Sequence, residues 1–426
     1  AFRVGMSLDE VHERTGVDRW FLGQISSIIH FEQQLRYSLT RHGDKPSPGS
    51  RVLEELGANG LYEAKRLGFS DARLSQLLDL PETQIREIRN QHGIKPVFKL
   101  VDTCAAEFEA YTPYHYSTYD EEDERLPSDK PRVIILGGGP NRIGQGIEFD
   151  CCCVQACYGL REAGYEAVMV NCNPETVSTD WDTSDRLYFE PVTLEDVLAI
   201  VEREKPEGVM LQFGGQTPLK LADALDKANI KILGTTAKQI QRAEDREQFN
   251  SLLETLGVTR TVSQTIRGKD AAFEAAETIG YPVIVRPSYV LGGRAMMIVH
   301  DSNELKAHLD SALRESQEHP LLVEEFLDDA IEVDVDVLGD GENYCVAGLM
   351  EHVEEAGVHS GDSACALPPF SLKEDIQTRI RDLCRAMAAE LSVVGLMNVQ
   401  LAVRGDDIYV LEVNPRASRT VPFVSK

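Results

Sequence analysis

Between residues 132 and 234 the chain repeats one unit: a short apolar run that ends on glycine or asparagine, followed by a helical stretch. Arg132–Leu136 runs into Gly137-Gly138-Gly139, Ala167–Val170 into Asn171, Gly208–Leu211 into Gly214-Gly215, and Ile230–Leu233 into Gly234. Runs this short and apolar throughout need cover on both faces, which a parallel sheet flanked by helices provides. Parallel neighbours also need a crossover, and the helical stretches between the runs supply one. The pattern predicts an open parallel α/β sheet of doubly wound type, with ligand loops at the carboxyl ends of its strands. The glycines do not spell a dinucleotide fingerprint. After Gly137 and Gly139 the next glycine position falls on Arg142, and Asn171 and Asn173 stand where an acid would hold a ribose. A nicotinamide cofactor is therefore not expected.

The flanks have other textures. Residues 1–125 read as all-α, with little strand signal. Phe21–Leu39 and Val52–Leu67 carry apolar residues at helical spacing, Ser70 can cap a helix holding Leu74, Leu77 and Leu78, and Pro81 can open one that ends at Gly93. The last pair has the outline of a DNA-reading helix-turn-helix. Its bases Arg73, Arg86, Arg89 and Lys95 are matched by Asp71, Asp79, Glu82 and Glu87, so a packing hairpin is the better reading. The acidic, proline-bounded stretch 119–131 reads as a linker. From residue 241 onward the pattern is α+β.

The formal net charge of −27 argues against nucleic-acid and anionic-membrane partners, both of which demand a basic surface. It leaves phosphate substrates open, because local arginines and a metal can invert the field. Nine cysteines occur without a paired spacing, and Cys151, Cys152 and Cys153 are consecutive. Buried thiols of a cytoplasmic protein are expected, rather than a disulfide framework.

The chemistry concentrates near the end of the sequence. Met397–Val403 and Tyr409–Asn414 read as two strands joined by a turn at 404–407. Side chains two apart on a strand share a face, so Glu412 and Asn414 point together, and hairpin pairing sets Gln400 beside Glu412. Three oxygen donors then converge, as a hard cation bound to phosphates requires, and Arg416 adds a fixed positive charge; from the motif alone, a half-exposed hairpin with polar residues on its wet face is an equal reading. Elsewhere, Tyr281–Ser288 is a strand carrying Arg286, and Gly292 and Gly293 form a loop able to lay backbone N–H groups over phosphates, although an ordinary surface turn would read the same. Ile331–Val337 alternates Glu332, Asp334 and Asp336 with valines. For Asp334 and Asp336 that reads as the wet face of a half-solvated strand. His359 lies in a polar turn, where a lone histidine is more often a surface residue.

Six stretches resemble the large subunit of bacterial-type carbamoyl-phosphate synthetase: Val101–Phe108, Gly137–Asp150, Asn171–Asp180, Arg286–Arg294, Gly357–Ser363 and Glu412–Arg416. The resemblance spans essentially the whole chain. It implies a helical oligomerisation-type domain at 1–125, a pre-ATP-grasp α/β domain at 126–240 and an ATP-grasp domain at 241–426 that stops before its last elements. The chain would thus be a fragment of the second, carbamoyl-phosphate half. The implied reaction is phosphorylation of carbamate by ATP, with Mg²⁺ or Mn²⁺ and a possible K⁺ as cofactors, in arginine and pyrimidine synthesis. By the same resemblance Gln400, Glu412 and Asn414 are metal ligands, with Gln400 and Glu412 also contacting the nucleotide. Arg246 and Arg286 clamp phosphates, Gly292 and Gly293 cover the triphosphate, Glu325 and Leu327 read adenine, and Glu332 holds the ribose. Gly357, Val358, His359 and Ser360 line the nucleotide, with His359 near the transferred group, and Arg416 steadies carbamate. The implied partners are a small glutaminase subunit, the first half and regulatory domain of the same subunit, and other copies through the helical domain.

Overall fold

The structure is a computed structural model. It describes residues 1–40, 48–109, 112–125, 127–141, 146–258, 261–287, 296–315, 320–354, 356, 358 and 363–426. The chain divides into two compact units, Ala1–Ala110 with His115–Pro127, and Tyr111–Tyr114 with Ser128–Lys426.

The first unit is built on α1 (Leu8–Thr15), α2 (Arg19–Thr40), α3 (Gly49–Arg66), α4 (Asp71–Leu78) and α5 (Glu82–Gln91). Ser7 starts α1 with a reciprocal capping box to Glu10, and the Ser70 hydroxyl caps α4 by accepting the Arg73 N–H at 3.0 Å. Gly57 breaks α3 with a φ of 61°, a conformation that costs a residue bearing Cβ. Phe31, Leu35, Leu53, Leu61, Leu74 and Ile85 form the shared core. Of the bases on the α4–α5 hairpin, Arg89 is buried against Asp71, which also takes Lys65, and Arg73 pairs with Glu32 at 2.9 Å. Neither arginine is thus presented to a phosphate backbone. The unit is not purely helical: β1 (Val97–Leu100) and β2 (Tyr114–Thr118) pair antiparallel. Those strands are short and polar at alternate positions, so they carry too little apolar periodicity to stand out from loop.

The second unit opens with β3 (Arg132–Leu136), α6 (Glu148–Glu162), β4 (Glu166–Val170), β5 (Arg186–Tyr188), α7 (Leu194–Glu204), β6 (Gly208–Met210), α8 (Gln216–Leu219), α9 (Ala222–Lys227) and α10 (Ala237–Glu244). The strands lie in the order β5-β4-β3-β6, all parallel, and their side chains are almost wholly buried. The expected strand at 230–233 is reduced to one parallel bridge between Val209 and Ile232, while β5 joins the sheet without having been read from the sequence. Only three residues of β5 pair, which is below what periodicity can register. Asn171 fills the position after β4, and its Oδ1 accepts the Gly139 N–H at 3.0 Å, bracing the loop after β3. Gly214 passes so close to that loop that a Cβ would stand 2.5 Å from the Leu136 carbonyl oxygen, so no other residue fits.

Then follow α11 (Arg246–Thr255), β7 (Ser263–Ile266), α12 (Lys269–Ile279), β8 (Val283–Pro287), β9 (Met297–Val299), α13 (Ser302–Glu315), β10 (Leu321–Glu325), β11 (Ile331–Asp340), β12 (Tyr344–His352), β13 (Cys365–Ala366), α14 (Glu374–Glu390), β14 (Val394–Arg404), β15 (Asp407–Asn414) and α15 (Val421–Val424). They make a four-stranded antiparallel sheet, β7-β10-β8-β9, and a five-stranded one, β13-β12-β11-β14-β15. In the first, Val283, Val285 and Val323 pack with Ala272, Ala276, Leu305 and Leu309 of α12 and α13. α14 covers one face of the second. Among the described residues no helix is long and apolar enough to cross a membrane. Cys152, Cys153, Cys157 and Cys384 are buried free thiols, and burial pushes Cys152, Cys157 and Cys384 up to about 12.

Candidate functional site

The five-stranded sheet has two unlike faces because its residues alternate. Val333, Val335, Val337, Met397, Val399, Leu401 and Val403 pack with Ile376, Ile380 and Met387 of α14. Between them Asp334, Asp336, Asn398 and Gln400 are polar and face the other way. Register sets them in two rungs across three strands: Asp334, Gln400 and Glu412, then Asp336, Asn398 and Asn414. Bulges interrupt the pairing at Asp336/Val337 and at Gln400/Leu401, and such irregularities re-aim side chains next to sites.

Gln400 thus lies directly across from Glu412, and Asn414 donates from Nδ2 to Glu412 Oε1 at 2.8 Å. A carboxylate can only accept, so this bond fixes the Asn414 amide and leaves its Oδ1 as the outward acceptor. Gln216, the first residue of α8, donates to that Oδ1 at 3.3 Å. One carboxylate and two amides are hard oxygen donors, which fits Mg²⁺ or Mn²⁺ with phosphates and water completing the shell. No group of three His, Cys, Asp or Glu side chains suited to a metal occurs among the described residues, so a cation here depends on amide and phosphate oxygens. Arg416 follows within two residues. Its guanidinium stands 5.2 Å from the Phe149 ring centroid and donates through Nη1 to the Ala417 carbonyl at 2.7 Å. Its Nε is buried without a partner, and no ion pair to it occurs among the described residues. A cation held this way is available to an anion.

The other expected residues stand on separate elements. Arg246 opens α11 after its cap Asp245 and donates to the Ser263 hydroxyl. Arg286 is exposed on β8, at 3.5 Å from Glu324, a contact too loose and wet to neutralise it. Glu325 ends β10, accepting the Val262 N–H at 3.4 Å, and stands 3.6 Å from Arg404. Leu327 is buried with Ala330, Ala356, Ala402 and Tyr409. Glu332 lies 3.5 Å from His352 Nδ1, and Val358 is exposed. Gly292, Gly293, Gly357, His359 and Ser360 lie outside the described residues. The hairpin therefore gathers Gln400, Glu412, Asn414 and Arg416, while Arg246 and Arg286 belong to α11 and the four-stranded sheet.

One sequence expectation is overturned here. Asp334 and Asp336 are only 5% and 3% exposed, not the wet face of a half-solvated strand. The facing positions on β14 are the amides Gln400 and Asn398, so polar side chains can be buried by pairing with one another. Asn398 Nδ2 donates to Asp334 Oδ1 at 3.2 Å and to Asp336 Oδ1 at 3.1 Å. The Ser418 hydroxyl donates to Asp336 Oδ1 at 2.7 Å, and the Thr420 hydroxyl donates to Asp336 Oδ2. Burial pushes the Asp336 carboxyl upward, against the pull of these three donors. The signal that finds this face is matched parity on three strands, at 334 and 336, 398 and 400, 412 and 414. It requires the strand pairing to be known first. Gln216 carried no such signal.

His352 closes the row, with Nε2 at 2.9 Å from Asp334 Oδ2. Burial works against a charged imidazole, but the bond to Asp334 and the nearby Cys365 outweigh it and hold the pKa at about 10. That lies above the ordinary value near 6.5 of an unfolded chain. The stability contributed by the charged pair is therefore full below about pH 6.5 and is lost as pH rises through about 10. Urea midpoints should fall across that window by more in the parent than in His352→Gln. Parallel pH curves would remove the charged pair from the account.

The hairpin can be set beside known proteins. Three family domains match: "Carbamoyl-phosphate synthetase large chain, oligomerisation domain" over residues 1–93, "Carbamoyl phosphate synthase preATP-grasp domain" over 129–242, and "Carbamoyl-phosphate synthase L chain, ATP binding domain" over 245–426. The carbamoyl phosphate synthase large chain of Vibrio cholerae is 55% identical over 426 residues, all of this chain and 38% of that protein. The chain belongs to the carbamoyl-phosphate synthase large-chain family. It spans well under half the length of the curated relatives it matches. Outside the family, the biotin carboxylase domain of Hydrogenobacter thermophilus 2-oxoglutarate carboxylase, solved with MgADP and bicarbonate, aligns with a TM-score of 0.55 at 18% identity, covering 69% of this chain and 66% of that one. Campylobacter jejuni biotin carboxylase, solved as a beta-gamma-ATP complex, aligns at 0.54 and 19% identity, over 67% and 66%. These two likenesses show that the family member shares the ATP-grasp fold of biotin carboxylases.

Proposed function

We propose that this chain carries the ATP-dependent phosphorylation of carbamate within glutamine-dependent carbamoyl-phosphate synthesis, feeding arginine and pyrimidine pathways in the cytoplasm. The observation that carries the reading is the polar hairpin: Gln400 across from Glu412, Asn414 hydrogen-bonded to Glu412, and Arg416 after them with no ion pair among the described residues. Family membership supplies the substrate class.

In this reading residues 1–125 form the oligomerisation-type domain, 126–240 the pre-ATP-grasp domain and 241–426 the ATP-grasp domain. Glu325 and Leu327 meet the adenine, Glu332 the ribose, and Gly357, Val358, His359 and Ser360 the nucleotide wall. Arg246, Arg286, Gly292 and Gly293 hold phosphates. Gln400, Glu412 and Asn414 hold Mg²⁺ or Mn²⁺, which when bound neutralises phosphate charge. A carbamate oxygen attacks the γ-phosphorus, the bond from γ-phosphorus to the β–γ bridging oxygen breaks, and ADP leaves. Arg416 and Arg286 offset the charge that develops on the transferred group. No protein nucleophile is required, so catalysis is positioning and electrostatics. Carbamate hydrolyses in water, so it must be delivered by the first half of the same subunit, with ammonia from a glutaminase partner.

ATP formation from carbamoyl phosphate and MgADP tests the step in reverse and avoids free carbamate. ATP should appear in proportion to chain concentration. MgADP that binds without ATP appearing would overturn carbamate as the acceptor, and ATP from an acyl phosphate instead would name another ATP-grasp ligase.

A further inference from the structure

Asp336 has no part in the scheme above, yet it is among the most deeply buried carboxylates of the chain. A buried carboxylate is expensive, and a well-packed apolar residue in its place would stabilise a sheet interior better. Its partners show what it holds. Two of its three donors, Ser418 and Thr420, come from the turn that follows Asn414, more than eighty residues away in sequence. Ser418 Oγ also accepts the backbone N–H groups of Thr420 at 3.1 Å and Val421 at 3.2 Å, so the hydroxyl that reaches Asp336 also shapes the turn. The other side of the turn is tied to Gln212, whose Nε2 donates to the Pro415 carbonyl at 3.3 Å and whose carbonyl accepts the Ala417 N–H at 2.9 Å. Between these ties stands Arg416, with its own N–H on the Asn414 carbonyl at 2.7 Å and a guanidinium in no ion pair among the described residues. Asp336 also shares a rung with Asn398 and Asn414, so one carboxylate braces both the hairpin and the turn beyond it.

We propose that Asp336 is a positioning residue: it fixes the turn Pro415–Thr420, and with it Arg416, relative to the Gln400–Glu412–Asn414 hairpin. Proton accounting makes the carboxylate specific for the task. Each hydroxyl has one hydrogen, and the two go to the two carboxylate oxygens. An amide at this position offers one acceptor oxygen, and where its NH₂ group replaces the other, the facing hydroxyl must accept rather than donate and turn its own hydrogen elsewhere. The pairing of β11 with β12 is irregular at Asp336/Val337, beside this side chain. The catalytic consequence rests on the phosphoryl-transfer reading, whereas the hold on the turn does not.

The test uses the full chain with Asp336→Asn, Thr420→Val and the hydroxyl-preserving Thr420→Ser. Thr420→Val leaves the buried carboxylate in place, so it remains informative if Asp336→Asn fails to fold. Hydrogen exchange over residues 415–421 should quicken about tenfold in Asp336→Asn and Thr420→Val, the change expected when a hydrogen bond to a charged group is lost. Thr420→Ser should exchange as the parent does, and strand 397–403 should not change in either Thr420 variant. In the reverse assay kcat should fall about 10–100-fold with KM for MgADP within about threefold, since a misplaced charge slows chemistry without loosening the nucleotide. Unchanged exchange in both variants overturns the proposal. So does quickened exchange with an unaltered kcat, because the turn would then not position Arg416. If the parent chain forms no ATP, the phosphoryl-transfer reading fails, and exchange alone decides whether Asp336 holds the turn.

Discussion

Glu412→Gln should lower ATP formation from carbamoyl phosphate and MgADP by about 10³-fold or more, at or beyond the upper end for one charge-stabilising group. The expectation rests on geometry. Glu412 is the only carboxylate of the three-donor set, and it is exposed at the end of β15. Glutamine keeps the shape, and its amide oxygen can still accept the Asn414 Nδ2 hydrogen that Glu412 Oε1 now takes. The substitution therefore removes one negative charge from the metal shell and little else. Thermal unfolding should move by no more than about 2 °C, within the range of a surface change. Mg²⁺ titration of the variant should show a weakened metal dependence that excess Mg²⁺ restores only in part. Turnover within tenfold of the parent would take Glu412 out of the metal shell and leave the hairpin without its decisive ligand.

The sequence discloses this site unevenly, for physical reasons. Gln400, Glu412 and Asn414 were legible because strand alternation and a short hairpin turn fix their relation locally. The parallel sheet was legible because β3, β4 and β6 are apolar on both faces and end on glycine or asparagine. What stayed hidden depends on partners far along the chain. Asp334 and Asp336 alternate with valines as a solvated strand would, and only β14 and the turn after β15 show that their face is covered. Gln216 lies almost two hundred residues from the Asn414 it touches. The ties that position the site, unlike the groups that form it, are tertiary, and no local pattern encodes them. β1, β2 and β5 escaped for a different reason: each is too short for periodicity to accumulate.

Arg416→Met should cost about 10²–10³-fold in kcat for ATP formation, the loss seen when one preorganised charge-stabilising donor is removed. KM for MgADP should stay within about threefold, because the nucleotide contacts assigned above lie elsewhere. Methionine is the informative replacement. The arginine lies over Phe149, and a cation–π contact of this kind is worth about 0.5–2 kcal/mol, so alanine would mix lost packing with lost charge. Methionine keeps an unbranched stem of similar reach and a favourable sulfur–aromatic contact. Arg416→Lys separates charge from geometry. Its ammonium restores the charge but not the planar fork, and it loses the ring stacking that sets the guanidinium in place. Lysine should therefore recover only part of the rate. Equal activity in the lysine variant and the parent would mean that position 416 supplies charge alone. A methionine variant within threefold of the parent would make Arg416 a packing residue against Phe149, and the buried, partnerless Nε would then have no ligand to explain it.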